Sequence, residues 1–129
     1  MIKAAIIVGL GSFLGGGLRY LVALFCDKRW GGDFPVGVLA VNVAGSFVIG
    51  FLAPLFQKYQ LPGDSALPLF LSVGFLGGFT TFSSFSLQTM RLIEGEQMGL
   101  ALANAAVSLI GCLVSVFLGL KLGGLIFEG

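Results

Sequence analysis

Histidine is absent from this chain of 129 residues, and charge is scarce. Seven Lys and Arg and six Asp and Glu make up 10% of it, against roughly 25% charged residues in ordinary soluble domains. Without histidine the chain lacks the commonest proton shuttle and metal ligand. A net charge of +1 with no basic cluster leaves no electrostatic footprint for nucleic acid. The two cysteines make no disulfide scaffold. Cys26 falls at a helix end and Cys112 near the middle of a later span, so they do not meet at one depth. What fills the chain instead is apolar. Hydrophobic residues account for 57% and the mean hydropathy is +1.03. A soluble domain of this size buries only about 60–70% of the surface its unfolded chain exposes, too little to hide that composition. Disorder is excluded on the same ground. The class that remains is an all-α integral membrane protein, read as a single transmembrane domain over 1–129.

The charges cluster, and the gaps between clusters carry the information. Phe34 to Gln57, Ser65 to Met90 and Gln97 to Leu120 are charge-free. Each exceeds the ~20 residues a helix needs to cross the hydrocarbon layer. Ala4 to Cys26 is long enough too, interrupted by Arg19. Four transmembrane helices are therefore expected near 4–26, 35–57, 67–91 and 97–122, joined by short polar hairpins. The first is expected to be retained, because no small-x-small cleavage pattern follows its apolar run.

Orientation is set by Lys and Arg in the flanking segments. With the N-terminus on side one, that side carries Lys3, Lys58 and Lys121, and side two carries Lys28, Arg29 and Arg91. A balance of three against three allows insertion both ways and hence an antiparallel pair. The alternative is a small imbalance, from the depth of Lys121 or the free amine, that fixes one topology.

Polar groups inside the spans mark pathways or helix contacts. The first helix has Gly11 and Gly15 at the small-xxx-small spacing that admits a close neighbour. It also carries Arg19, whose burial in a span costs on the order of 2–3 kcal/mol at most. The second has Asn42, with Ser46 one turn on. Either can bond a neighbouring helix or line a pore. The third reads Gly74-Phe75-Leu76-Gly77-Gly78-Phe79-Thr80-Thr81-Phe82-Ser83-Ser84-Phe85-Ser86. Paired glycines followed by two β-branched residues are poor helix material. A break is expected mid-span, freeing carbonyls as hard oxygen donors. The fourth carries Asn104, Ser108, Cys112 and Ser115 on one face, a polar track about 16 Å long at the helical rise. A packing seam is the competing reading.

No carboxylate lies in any of these expected spans, which argues against proton-coupled exchange and against a cation filter of acid rings. The donors present are amides, hydroxyls, one guanidinium and the positive edges of phenyl rings. They suit a small anion.

At these residues the sequence resembles the Fluc (CrcB-type) fluoride channels. Gly74 to Phe85 is similar to their third-helix signature, Gly16-Gly17-Leu18-Arg19-Tyr20 to the first-helix motif, and Val41-Asn42 with Gly45-Ser46-Phe47 and Gly50 to the second. The resemblance implies an antiparallel dual-topology homodimer with two pores. It implies that Phe82, Phe85 and Asn42 line the fluoride pathway, with Ser83, Ser84, Ser108 and Cys112 beside it. Arg19 is implied in a vestibule. The carbonyls of Gly77 and Thr80 are implied to hold a structural sodium ion at the dimer interface. Val38 stands where the family often has Thr, and Asn104 and Cys112 where it often has Tyr or Ser.

The expected function is passive export of fluoride from the cytoplasm across a bacterial inner membrane. Hydrogen fluoride enters as a weak acid, dissociates, and the trapped ion leaves by electrodiffusion. Two alternatives stay open. A small multidrug-resistance transporter shares the size and helix count but needs a Glu in the first helix. A non-transporting membrane assembly subunit predicts no flux. An enzyme is not expected, since no nucleophile–base pair is present.

Overall fold

The computed structural model describes residues 1–129, and its regular structure is helical throughout. Helix α1 is Ile2–Trp30 and α2 is Val36–Lys58. The third span, Ala66–Glu94, consists of α3 over 66–79 and α4, Phe82–Glu94. Helix α5 is Met98–Phe127. Four stretches are long and apolar enough to cross a membrane: α1, α2, the third span and α5.

The helices outrun the charge-free stretches by about a turn at several ends. Helix α1 continues through Lys28 and Arg29, where cations face the partial negative charge of the last carbonyls. Arg29 lies 5.6 Å from the Trp30 ring. Lys121 sits inside α5 with its ammonium 5.5 Å from the Phe117 ring, so its charge rests on an aromatic face. Asp27, at the end of α1, closes the first hairpin. Its Oδ1 accepts from the Gly37 amide at 2.7 Å, supplying the start of α2 with the acceptor that Pro35 cannot provide.

Large apolar side chains point outward. Phe13 is 79% exposed and Leu109 64%, and only 20 of 129 residues are buried. Such a surface is stable against acyl chains and not against water. The interior holds a few apolar side chains, among them Val41, Leu76, Phe79 and Leu92, and small residues at the helix crossings. Gly11 and Gly15 abut the backbone of Phe70, Gly74 and Phe75, and Gly78 abuts Ser12 and Gly16. Rising numbers match rising numbers, so α1 and α3 run parallel. A second parallel seam joins α2 to α5, where Gly50 meets Val116 and Leu120, and Gly119 and Gly123 meet Phe47, Phe51 and Pro54. The pairs Gly11/Gly15, Gly74/Gly78 and Gly119/Gly123 all have the spacing of four that lets backbones touch.

The third span departs from α geometry in two places. Residues Leu69–Leu76 form a π-helix, a form concentrated at functional sites. Ser12 donates to the Gly74 carbonyl within it at 3.1 Å. The break follows at Thr80 and Thr81. Of the glycine pair and the two β-branched residues expected to cause it, the glycines stay helical, Gly77 at φ −61, ψ −36. Gly78 serves the close approach to α1, against Ser12 and Gly16. The extended residues are the threonines, Thr80 at ψ 160 and Thr81 at φ −154, ψ 121, conformations that β-branched side chains favour. Each threonine also closes the half-helix beside it. Thr80 donates from both its amide and Oγ1 to the Leu76 carbonyl, each at 3.0 Å. The Thr81 Oγ1 accepts from the Ser84 amide at 3.2 Å and caps α4.

Candidate functional site

Around the break lies a cleft of about 650 Å³ between α2, the third span and α5. Its wall includes Asn42, Gly77, Thr80, Phe82, Phe85, Ser108 and Cys112. Gly45 gives the room: a Cβ there would strike the Thr80 methyl group, so any larger residue would push α2 away from the break.

Asn42 reaches across from α2 and grips the Thr81 backbone at both ends. Its Oδ1 accepts from the Thr81 amide at 2.8 Å, and its Nδ2 donates to the Thr81 carbonyl at 3.0 Å. One face of the amide therefore replaces the helical partners that Thr81 lacks. The Nδ2 group carries two hydrogens, and the second is left for the cleft. Asn42 thus makes the helix contact that was one of its two readings, and it also stands on the cleft wall.

These bonds have a consequence for the carbonyls. In an unbroken helix the Thr81 amide would donate to Gly77 and the Ser84 amide to Thr80. Here the first goes to Asn42 and the second to the Thr81 hydroxyl. The Gly77 and Thr80 carbonyls lose those donors, and both residues line the cleft. No cluster of three His, Cys, Asp or Glu exists that could hold a metal. Freed backbone oxygens are the donor set that fits a hard cation, and two of them form an incomplete shell.

Phe82 and Phe85 flank the break on the α4 side. Their ring centroids lie 5.4 Å apart with planes at 44°, so edges and faces are both presented. Phe82 is 78% exposed in the single chain, and Phe85 is half-buried. Ser83 and Ser84 do not line the cleft. They gather round the Thr81 hydroxyl, Ser83 Oγ at 3.2 Å and Ser84 Oγ, which accepts from it, at 3.3 Å.

On α5 the polar track divides. Asn104 is 1% exposed and faces α4, donating to Thr89 Oγ1 at 2.9 Å. Thr89 in turn donates to the Phe85 carbonyl at 2.8 Å. Ser108 donates to Asn104 Oδ1 at 3.3 Å, and it and Cys112 line the cleft. Both cysteines are free thiols. Arg19 is half-buried on α1 and is not part of the cleft wall. The structure thus brings together Asn42, Gly77, Thr80, Phe82, Phe85, Ser108 and Cys112. It leaves Ser83, Ser84 and Arg19 outside.

Sequence reasoning gave no site role to Ser72, which lines the cleft from the π-helical stretch. A π-turn shifts which residues share a face, and nothing in the residue order announces it. Thr81 was legible as a hydroxyl. Its part as the residue that Asn42 grips was not, because that pairing spans 39 positions.

Four apolar spans, one of them broken where amide, hydroxyl and phenyl groups converge, define a multi-pass membrane protein with a donor-lined cleft at mid-span. The chain belongs to the CrcB-like family (Camphor Resistance, CrcB), whose model matches residues 6–120. It is 42% identical over 123 residues, 95% of each chain, to a protein of Clostridium perfringens (strain 13 / Type A) named fluoride-specific ion channel FluC. Proteins of the same name from Sorangium cellulosum (strain So ce56) and Methylocella silvestris are 41% and 46% identical. The first of these covers 95% of each chain, and the second covers 85% of each. The family is one of channels and not of enzymes.

Proposed function

We propose that this protein is a fluoride-selective channel that lets fluoride leave the cytoplasm passively. The observation that carries the reading is the cleft at the helix break in a chain that matches fluoride channels over 95% of its length. Fluoride is small and strongly hydrated, so leaving water requires close, hard donors. The spare Nδ2 hydrogen of Asn42 is of that kind, as is the Ser108 hydroxyl once its hydrogen turns from Asn104 Oδ1, and the Phe82 and Phe85 rings add positive edges. No acid lies within the cleft wall, which leaves the anion unopposed and gives no group for proton coupling. The acid of α1, Asp27, sits at the helix end and caps α2, which tells against the multidrug-transporter alternative.

The functional unit in this reading is an antiparallel homodimer of dual topology in the cell membrane, the inner membrane in a bacterium that has two. The three-against-three balance of Lys and Arg supports it. So does Phe82, exposed on the single chain beside the cleft. A sodium ion at the twofold axis would be held by the Gly77 and Thr80 carbonyls of both copies and would supply fixed positive charge and a structural tie there. Arg19, on α1, would raise the local anion concentration at a vestibule.

The test is purified protein in liposomes loaded with potassium fluoride, read by a fluoride electrode when potassium is allowed to leave through an ionophore. Fluoride efflux far faster than chloride efflux is expected. Protein-containing vesicles that leak fluoride no faster than empty ones would defeat both the channel reading and its route through the cleft, and would favour a non-transporting subunit.

A further inference from the structure

The two carbonyls freed at the break belong to residues that are fixed in different ways. Thr80 is held by its own groups, because its amide and its hydroxyl both bond the Leu76 carbonyl. Gly77 has no side chain to do the same. Its amide is shared between the carbonyls of Gly74 and Ser72, one turned tighter and one wider than the single acceptor four residues back in a regular α-helix. Gly77 therefore sits at the junction between the π-helical stretch Leu69–Leu76 and the α-helical turn Gly77–Phe79. It is also exposed on the single chain, so its own segment sets the direction of its carbonyl only loosely.

Helix α1 supplies the missing restraint through one residue. The Ser12 hydroxyl donates to the Gly74 carbonyl at 3.1 Å, the same oxygen that accepts from the Gly77 amide. The Ser12 backbone also abuts Gly78, where a Cβ would lie 2.7 Å from the Ser12 carbonyl oxygen. The Gly77 carbonyl and the Gly78 nitrogen belong to one planar peptide unit. Ser12 thus touches the acceptor that precedes this peptide and the residue that completes it. A helical serine can turn its hydroxyl to the carbonyl one turn back in its own helix, as Ser86 does. Ser12 instead bonds a residue 62 positions away.

We propose that Ser12 is a positioning residue for the cation shell, its bond to Gly74 holding the Gly77 peptide so that the carbonyl stays turned to the cleft beside that of Thr80. The proposal rests on the reading that these carbonyls hold sodium. A carbonyl already aimed binds a cation more tightly, because no rotation has to be frozen when the ion arrives. Without the Ser12 hydroxyl, the Gly77 amide can exchange its split bonding for the regular helical partner, and the carbonyl turns with it.

The experiment is thermal unfolding of protein purified without sodium and titrated with sodium chloride, choline chloride keeping the ionic strength constant. Wild-type protein is expected to melt higher as sodium is added. Ser12→Ala is expected to need about three- to tenfold more sodium for half of that rise, the loss of one hydrogen bond behind the shell. Ser86→Ala, which removes a hydroxyl-to-carbonyl bond away from Gly77, is expected to keep the wild-type sodium midpoint. Ser12→Thr and Ser12→Val have nearly one shape, so a midpoint closer to wild type in the threonine variant assigns the effect to the hydroxyl. A Ser12→Ala protein that melts lower by the same amount at every sodium concentration, with its midpoint unmoved, overturns the positioning role and leaves the sodium reading standing. Equal midpoints in the threonine and valine variants overturn it likewise. Wild-type melting that ignores sodium overturns the sodium reading and the role of Ser12 together.

Discussion

Asn42 and Thr81 stand 39 positions apart, and the side chain of one satisfies both backbone groups of the other. The break in the third span is held open by this pair. If the Asn42 amide is removed, the Thr81 N–H and C=O are left half-buried without partners. Asn42→Ala is expected to destabilise the protein by about 1–3 kcal/mol, the desolvation cost of orphaned groups, and to slow fluoride efflux. Asn42→Asp is expected to be worse for efflux at neutral pH. A carboxylate can accept from the Thr81 amide but cannot donate to its carbonyl, and it sets a negative charge in an anion cleft. Thermal unfolding in detergent and liposome efflux read the two effects separately. Asn42→Ala that unfolds and conducts as wild type would remove Asn42 from both roles.

The same pair shows what could be read from residue order and what could not. The four spans and a break in the third followed from charge gaps and from poor helix formers, both local properties. The site residues Asn42, Phe82 and Phe85 stood out because amides and regularly spaced aromatics are unusual in spans. Which of the named residues, the glycine pair or the two threonines, caused the break did not follow. Glycine is the poorer helix former, yet Gly77 and Gly78 both remain helical, and Gly78 is used for the close approach to Ser12 and Gly16 of α1. Thr81 breaks the helix because a partner on α2 accepts the cost, and such a partner is invisible without the fold. Asn104 shows the same limit. It shares a helical face with Ser108, but packing of α4 turns it into a buried tie to Thr89.

That tie yields a second prediction. While Ser108 donates to Asn104, its hydrogen is withheld from the cleft. Asn104→Leu replaces a buried amide with an apolar group of similar volume. It is expected to alter stability by no more than about 1 kcal/mol, the net worth of a typical hydrogen bond. Fluoride efflux is expected at or above the wild-type rate, since Ser108 is released. A tenfold loss of efflux with a normal unfolding curve would show that the amide itself is needed for conduction.

The glycine seams can be tested against glycines that touch nothing. A Cβ on Gly15 would collide with the Phe75 carbonyl, and one on Gly119 with the Phe47 carbonyl, whereas Gly9 and Gly17 have nothing within 4 Å. Gly15→Ala and Gly119→Ala are expected to lose about 1–3 kcal/mol through overpacking. Gly9→Ala and Gly17→Ala should match wild type or gain slightly from helix propensity. Equal melting temperatures across the four variants would contradict the close approach of α1 to α3 and of α2 to α5.

Balanced Lys and Arg give a fourth handle, on assembly. Three lysines added to the 59–65 hairpin should fix one orientation, and three added at 95–97 the opposite one. Each variant expressed alone is expected to conduct poorly, and the two co-expressed are expected to restore efflux. A single fixed-orientation variant with full activity would contradict antiparallel pairing while leaving the cleft untouched.

The phenyl pair is tested by keeping apolar bulk and removing the ring. Phe82 is largely exposed on the single chain, and Phe85 is half-buried, so neither ring is a main prop of the core. Phe82→Ile and Phe85→Ile retain a hydrophobic surface but lose the electropositive edge, a contribution worth roughly 0.5–1.5 kcal/mol in ring–ring contacts. If a fluoride ion meets those edges in transit, each variant should slow efflux about tenfold or more, since bare fluoride interacts more strongly with an edge than another ring does. The elution volume of the purified protein should not change. Wild-type rates in both variants would place the ion's path elsewhere in the cleft, along Ser108 and Cys112, and would leave the 5.4 Å pairing of the rings as packing alone.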